Sequence, residues 1–200
     1  VVGAYKEDQE AGAAYVFELN GGVWTETTKL VASDKSADDR FGFCVSISGD
    51  KVIIGAYQED HDATGGAGFS NAGSAYIFEL NGGVWTETAK LVASDRAATD
   101  LFAYNVNSNG DKAIVGAYQE DQDASGGGTL SNTGSAYIFE LSGGVWTETA
   151  KLVASDRSTV DYFGFSVVIS GDKAIVGCHR QDLDATGGDV LQNAGAVYIF

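Results

Sequence analysis

The 200-residue sequence has no Pro, no Met and only two Cys. Two cysteines cannot supply a disulfide framework, and the repeat described below places Cys44 and Cys178 two units apart on different strands. We therefore expect two free, buried thiols. Long apolar runs are also missing, because none reaches the roughly 18 to 20 residues that cross a bilayer. No membrane span is predicted.

Positive charge is scarce as well. The sequence has 12 Lys and Arg against 28 Asp and Glu, which gives a formal net charge of −16. A protein that binds nucleic acid needs basic side chains to displace counterions from the phosphates. The charge balance therefore excludes a nucleic-acid partner and favours a soluble, acidic surface that attracts cations.

What the sequence does contain is a repeat with a step of 61 residues. Trp falls at positions 24, 85 and 146, and each Trp begins the run W-T-E-T-x-K-L-V-A-S-D. Gly-Asp-Lys follows the same step at 49–51, 110–112 and 171–173. One step is shorter, because the segment 6–12 has nine residues fewer than its counterpart 58–73. Such a period is typical of repeat architectures.

Each unit predicts four strands, rich in β-branched and aromatic residues. The first two are exemplified by 163–170 and 173–177, with a Gly-Asp turn between them, and the next two by 135–141 and 145–154, with a Ser-Gly-Gly turn. Counterparts of the first strand start at Phe41 and Phe102. A long acidic, Gly-rich loop joins the second strand to the third, and helical periodicity is absent.

The third strand has bulk on both faces, with Tyr137 and Phe139 on one and Ile138 on the other. Burial of both faces is expected of a propeller blade, which lies between two neighbours. The sequence therefore predicts an all-β fold, a β-propeller of four-stranded antiparallel blades.

The predicted repeat units are 1–40 (partial), 41–101, 102–162 and 163–200 (partial), roughly three and a half blades of one propeller. Such a chain is an incomplete ring, whose end faces and sheet edges are open. We expect a fragment of a longer polypeptide or, alternatively, an arc that other chains complete.

The stretches from Phe41-Gly42 to Gly55-Ala56-Tyr57 and from Phe163-Gly164 to Gly177-Cys178 resemble the FG-GAP repeat of integrin α-subunit propellers. The middle unit departs from this pattern with Phe102-Ala103. The fuller unit is similar to tandem repeats of this type in large microbial and algal surface proteins. The resemblance covers essentially the whole chain and implies an extracellular or cell-surface propeller used in adhesion or assembly. A kelch-like propeller is the alternative, suggested by Y-I-F followed by G-G-V-W.

Three of the acidic loops read Asp-x-Asp-x-Ser/Thr-Gly, with Asn eleven residues after the first Asp. The spacing follows an EF-hand-like calcium loop, which has oxygen ligands at positions 1, 3, 5 and 12 and Gly at position 6, although Asn at position 12 cannot bind in bidentate fashion. We predict weak calcium sites at Asp60, Asp62, Thr64 and Asn71, at Asp121, Asp123, Ser125 and Asn132, and at Asp182, Asp184, Thr186 and Asn193.

The resemblance does not support these calcium sites. In the integrin family, calcium lies in the hairpin between the first two strands, which here is a short turn with a single Asp (Asp50, Asp111 and Asp172). The alternative to calcium is a solvated loop whose acids keep the surface soluble.

Two other residue sets recur. The repeated Trp residues could form platforms for sugars or pack over their own hairpins. The aspartate pairs Asp34/Asp39, Asp95/Asp100 and Asp156/Asp161 flank the crossover to the next blade. We expect them to accept hydrogen bonds from backbone N–H groups in the turn, with Lys35, Arg96 and Arg157 alongside.

Catalytic patterns are thin, since His61 and His179 have no repeated partner and neither a nucleophile elbow nor a P-loop is present. We therefore predict that the protein is not an enzyme but a structural or adhesive module whose partners are other protein chains or further repeats of the same polypeptide. The alternatives are a carbohydrate-binding propeller and a non-catalytic domain of a larger receptor or enzyme.

Overall fold

The computed structural model describes residues 1–66, 68–127, 129–182 and 191–200. Fourteen strands form four antiparallel sheets. Sheet I contains β1 (Val2–Ala4), β2 (Ala13–Asn20) and β3 (Val23–Leu30), and sheet II contains β4 (Cys44–Ser48), β5 (Lys51–Ala56), β6 (Ser74–Asn81) and β7 (Val84–Leu91). Sheet III contains β8 (Asn105–Asn109), β9 (Lys112–Ala117), β10 (Ser135–Ser142) and β11 (Val145–Leu152), and sheet IV contains β12 (Phe163–Ser170), β13 (Lys173–Cys178) and β14 (Ala196–Ile199).

Within each sheet the strands follow one another in sequence order as a meander. Each turn from the third strand to the fourth contains two glycines at positive φ, for example Gly143 at 59° and Gly144 at 82°. Among the described residues the one helical element is α1 (Glu7–Glu10), a short turn in the small first loop, where Asp8 and Gln9 take left-handed angles. Local turn chemistry thus accounts for the meander.

The sheets stack face to face. Along β5, Val52 and Ile54 point into a cluster shared with Ala14 and Val16 of sheet I. Ile53, between them in sequence, points into a second cluster, shared with sheet III. A third cluster joins sheets III and IV. Sheet II is therefore buried on both faces, as predicted, and the chain forms a β-propeller arrangement whose four sheets do not close into a ring in the described structure.

The first strands of neighbouring sheets lie side by side at the inner edge of the stack. Their side chains bridge the gap: Asn105 Oδ1 accepts the Val167 N–H (3.0 Å), and Asn107 Oδ1 accepts the Ile169 N–H (2.9 Å). The Cys44 thiol occupies the same role one sheet earlier, 3.4 Å from the Val106 nitrogen. Both cysteines are free, as predicted, but Cys44 is only partly buried.

Close backbone contacts hold neighbouring sheets together at each junction. The ring of Phe41 is fully buried between sheets I and II, and its N–H donates to the Ala11 carbonyl (3.0 Å). The next residue, Gly42, has φ of 86°, and its carbonyl lies so close to Gly3 that a Cβ on Gly3 would overlap it. The same overlap would occur at Gly55 against Ala103 and at Gly116 against Gly164. Glycine is needed at these points because backbone meets backbone.

The first strands of sheets II and III begin later than predicted. They start at Cys44 and Asn105, three residues after Phe41 and Phe102. The preceding residues leave the extended region, since φ is 61° at Arg40, 86° at Gly42, 55° at Leu101 and 65° at Ala103. The Phe-Gly element is therefore a junction turn, and even in β12 it produces a register shift between Phe163 and Ser166.

Ala103 should be a weak point, because it is an L-residue held at positive φ where its counterparts are glycine. We expect Ala103→Gly to raise the free energy of unfolding by about 1 kcal/mol, since relief of left-handed strain exceeds the entropy that glycine adds to the unfolded chain. Urea denaturation measures this change. Gly164→Ala is the control and should destabilise, because its Cβ would overlap the Ser135 carbonyl. An equally stable Gly164→Ala variant would contradict this account of the junction.

Candidate functional site

The predicted calcium loops leave the sheets after the second strand and return at the third. In each loop the first Asp closes the base. Asp60 Oδ1 accepts the N–H of Asn71 at 2.7 Å, and the same bond joins Asp121 to Asn132 and Asp182 to Asn193, both at 2.6 Å. All three Asn residues have φ of 53° or 54°. The eleven-residue spacing thus corresponds to a loop-closing hydrogen bond, for which Asn suits the left-handed turn.

The second Asp organises the loop tip. Asp62 Oδ1 accepts hydrogen bonds from Thr64 N (2.8 Å), Thr64 Oγ1 (2.7 Å) and Gly66 N (2.9 Å). These donors, the Thr64 hydroxyl foremost, lower the pKa of Asp62 to about 2. Asp123 makes the same contacts with Ser125 and Gly127, and its pKa is lowered for the same reason. Asp184 and Thr186 of the third loop lie outside the described residues.

The described carboxylates of these loops do not converge into a ligand set. No group of three or more His, Cys, Asp or Glu residues within the described residues is placed to hold a metal ion. Loop N–H groups already donate to Oδ1 of Asp60 and to Oδ1 of Asp62, and the side chain of Asn71 accepts a hydrogen bond from Gln58 (3.1 Å). A cation would compete with these bonds, and calcium binding stays a prediction.

A charged network that was not predicted from the sequence lies beneath the loops, at the junction of sheets I and II and again at that of sheets II and III. Lys90 Nζ contacts Asp34, from the crossover out of sheet I, at 2.7 Å and the fully buried Glu59 at 3.0 Å. The hydroxyl of Tyr76 donates to the other oxygen of Asp34 (2.8 Å). The next junction repeats the arrangement with Lys151, Asp95, Glu120 and Tyr137. The network fastens one sheet to the crossover from the sheet before it.

Part of this network could have been predicted from the sequence. The Lys of K-L-V-A-S-D, the Tyr of A-Y-I-F and the Asp of S-D recur with the repeat step, which could have identified them as partners. Glu59 and Glu120 also lie one repeat step apart, and only their first counterpart, Glu7, is offset, because the first loop is shorter. At position 181 the series ends in Gln, which donates to the Tyr198 hydroxyl (3.1 Å).

The predicted role of the aspartate pairs is confirmed for the second member. The carboxylates of Asp39, Asp100 and Asp161 accept the N–H groups of Ser36, Ala97 and Ser158 at 2.5 to 2.6 Å. The first members differ from the prediction, because Asp34, Asp95 and Asp156 accept Tyr hydroxyls of the next sheet. The sequence spacing could not show that these side chains cross a junction.

An aromatic belt runs across all four sheets at the same end as the loops. It combines the residue after each Phe-Gly or Phe-Ala pair with the residue that follows each second strand, and it also includes Tyr162, which directly precedes Phe163. Those two positions meet because the strands are antiparallel. Ring centroids lie 4.2 to 5.5 Å apart from one neighbour to the next. We define the belt as Tyr5, Phe43, Tyr57, Tyr104, Tyr118, Tyr162, Phe165 and His179.

Most belt rings are half-buried, so that one part packs and another part faces solvent. Burial, with a smaller effect of Tyr104, raises the pKa of Tyr118 to about 12, which keeps its hydroxyl protonated as a hydrogen-bond donor. Cations border the belt, since Arg40 Nη1 donates to the Tyr57 hydroxyl (2.7 Å) and Arg180 lies 5.0 Å from the ring of Tyr162. The belt offers a partner apolar rings and polar hydroxyls together.

The repeated Trp residues do not form equal platforms. Trp85 and Trp146 are partly buried and pack against the clusters between sheets I and II and between sheets II and III. Trp24 is 66% exposed. Packing against these clusters therefore accounts for two of the three Trp residues.

The charged network should be essential for stability. We expect Lys151→Met to lower the free energy of unfolding by about 3 kcal/mol, because it leaves the buried Glu120 and the partly buried Asp95 without their cation. Lys173→Met removes an exposed pair with Asp172 and should change stability by less than about 0.5 kcal/mol. Chemical denaturation of both variants at pH 7 provides the comparison. Equal effects would show that the buried pair has no special role.

Comparison with known proteins agrees with this construction. The family described as FG-GAP repeat matches residues 24–78, 85–139 and 146–200. A comparison with curated proteins gave no match. Each matched segment begins at the Trp of one outer strand and runs through the crossover and the Phe-Gly or Phe-Ala pair to the third strand of the next sheet, so that it contains one whole junction. Because the matched segments span most of the sequence, the chain belongs to the FG-GAP repeat family.

Proposed function

We propose that this chain is a non-enzymatic protein-binding module of the extracellular space or cell surface, with a structural or adhesive role. The observation that supports it is the aromatic belt. Tyrosine and other aromatic residues are enriched at protein interfaces, where they contribute large contact areas and a polar tip at little cost in conformational entropy. The belt presents such residues from four sheets on one continuous surface.

The repeated residues fall into a set that packs between sheets and a set that a partner can reach, and this separation also supports the proposed function. The buried charges, the Phe rings and the junction glycines are engaged between sheets. Most belt rings are only half-buried and the described tips of the loops are exposed, so that a partner can reach both. A surface assembled from several repeats suits a macromolecular partner better than a small substrate.

The proposed partners are other protein chains or further repeats of the same polypeptide. The outward face of sheet IV exposes apolar side chains, among them Val197 at 67% and Ile199 at 72%. The equivalent face of sheet II is covered by sheet III, and exposed apolar patches of this kind mark interaction sites. In the described residues, no helix is long and apolar enough to cross a membrane.

The belt should determine partner binding. Peptides selected from a phage-displayed random library on the intact protein should bind at least about tenfold more weakly to the double variant Tyr104→Leu, Tyr118→Leu, because aromatic contact residues contribute most of the binding energy at an interface. Leu keeps the apolar packing of the ring edge. Isothermal titration calorimetry with the resynthesised peptides gives the dissociation constants.

The matched control for the belt is Trp24→Leu, which removes an exposed aromatic ring from an outer hairpin. Peptide affinity should not change in this variant. If the belt variant binds the peptides as tightly as the original protein, the proposal is wrong. If a glycan array instead shows sugars whose binding is lost with Trp24→Leu, the carbohydrate-binding alternative is correct.

Calcium is proposed as a weak ligand of the acidic loops, with affinity in the millimolar range typical of extracellular modules. Calorimetric titration of the intact protein should show heat, and the melting temperature should rise in millimolar calcium. Asp121→Asn keeps an acceptor for the Asn132 N–H but removes a charge, and it should reduce the number of sites by one. The absence of both heat and thermal stabilisation would remove calcium from the proposed function.

A further inference from the structure

At the first two junctions, between sheets I and II and between sheets II and III, lies a buried carboxylate that forms no ion pair with the described residues. Asp39 is 5% exposed and Asp100 is 6% exposed, and both sit in the crossover from an outer strand to the next sheet. Each accepts one backbone N–H at 2.6 Å, from Ser36 and from Ala97. Neither belongs to any of the ion pairs in the described part of the chain. The carboxylates are therefore removed from water without a cation of their own.

The groups that face them are mostly acidic. Around Asp39 lie the crossover's own Asp34 together with Glu59 and Asp60 from the loop after β5. Lys90 of β7 approaches this group, and it is already shared between Asp34 and Glu59. Arg40 is directed to Glu10 of the first loop and to the Tyr57 hydroxyl. Arg96 donates to the Asp60 carbonyl (3.3 Å), and Tyr76 of β6 also faces Asp39. The junction thus has an excess of buried negative charge.

The second junction has the same composition. Asp100 is faced by Glu120, Asp95 and Asp121 and also by Tyr137 of β10. Lys151 is shared between Asp95 and Glu120. Arg157 places its guanidinium on the carbonyls of Asp121 and Gln122 and on the hydroxyl of Thr133. Charge repulsion and desolvation therefore act together on Asp100.

These carboxylates sit where the sheets are joined. Next to Asp39, the Arg40 N–H donates to the Glu10 carbonyl (2.8 Å) in the loop of sheet I. Next to Asp100, the Leu101 and Phe102 N–H groups donate to the carbonyls of Asn71 (3.2 Å) and Ala72 (2.9 Å) in the loop of sheet II. A change in the free energy of either carboxylate therefore changes the stability of the contact between the two sheets.

We propose that acid stabilises the junctions between sheets, because protonation of Asp39 and Asp100 removes buried negative charge. The stability of the folded chain then falls as the pH rises toward neutrality. Desolvation, the largest cause, raises the pKa of Asp39 to about 6 and that of Asp100 to about 7, from 3.8. Between pH 4 and 7 the folded chain therefore binds more protons than the unfolded chain, and stability falls as pH rises.

Carboxylates with lowered pKa act in the opposite direction at a different pH. Lys90 and the Tyr76 hydroxyl lower the pKa of Asp34 against the effect of burial, and local donors lower those of Asp62 and Asp123. Their contribution is lost as the pH falls below about 4. Stability should therefore be greatest near pH 4 to 5, lower than the usual range of about pH 5 to 8.

The chain contains its own partial control at the third junction. Gln181 occupies the position of Glu59 and Glu120, is almost fully buried, and brings Nε2 within 3.5 Å of Asp161 Oδ2. An amide places no charge beside the aspartate. Burial still raises the pKa of Asp161, and the acidic neighbours that add to the shift are Asp156 and Asp182.

The test compares thermal unfolding of the 200-residue chain with that of the double variant Asp39→Asn, Asp100→Asn from pH 4.5 to 8. Asn retains an oxygen for the Ser36 and Ala97 N–H groups. The melting temperature of the original chain should fall by roughly 10 °C or more over this range. The melting temperature of the double variant should fall much less. The two proteins should melt together at pH 4.5, and the variant should melt higher at pH 8.

Two further variants make the test specific. Asp172→Asn removes an exposed carboxylate and should follow the original chain at every pH. Glu120→Gln copies the substitution that the chain itself carries at 181 and should flatten part of the pH dependence. If the original chain shows no acid stabilisation, or if the double variant runs parallel to it at all pH values, the proposal is wrong.

Discussion

At each junction the carbonyl that follows a buried Phe lies against a glycine in the second strand of the preceding sheet. This contact of backbone with backbone sets how closely two sheets approach, and the approach in turn decides which side chains can meet. With a Cβ at Gly3, Gly55 or Gly116 the sheets could not close on the Phe rings. The apolar clusters, the charged network and the belt all depend on that approach.

The close approach also explains why charge is buried. The crossover between sheets must pass beneath the acidic loop of the preceding sheet, and it brings Asp34 or Asp95 under a Lys and a Tyr of the next one. One lysine then contacts two carboxylates at each of these two junctions. If the two sheets shifted relative to each other, the shared lysine would leave a buried carboxylate uncompensated, which is costly. The repeated motif therefore encodes orientation between sheets as well as cohesion.

The acidic loops show how one sequence pattern can support two interpretations. Asp at alternate positions followed by Thr or Ser and Gly is the composition of a calcium loop, and it is also the composition of a turn in which carboxylates accept backbone N–H groups. In the described loops the second use is realised, and it is sufficient to explain the spacing between Asp60 and Asn71. The pattern alone does not distinguish the two uses, because both need the same oxygens.

By itself, the sequence determined the all-β class, the four-strand unit, the turns and the burial of both sheet faces. These features follow from local periodicity and from the conformational freedom of glycine, which has no side chain. A single repeat is enough to show both. The tertiary structure decided the late start of β4 and β8, the partners of Asp34 and Lys90, and the belt of Tyr57, Tyr104 and their neighbours. Those contacts join residues of different repeats. A periodic sequence shows that the units are alike, but it does not show which face of one unit packs against which face of the next.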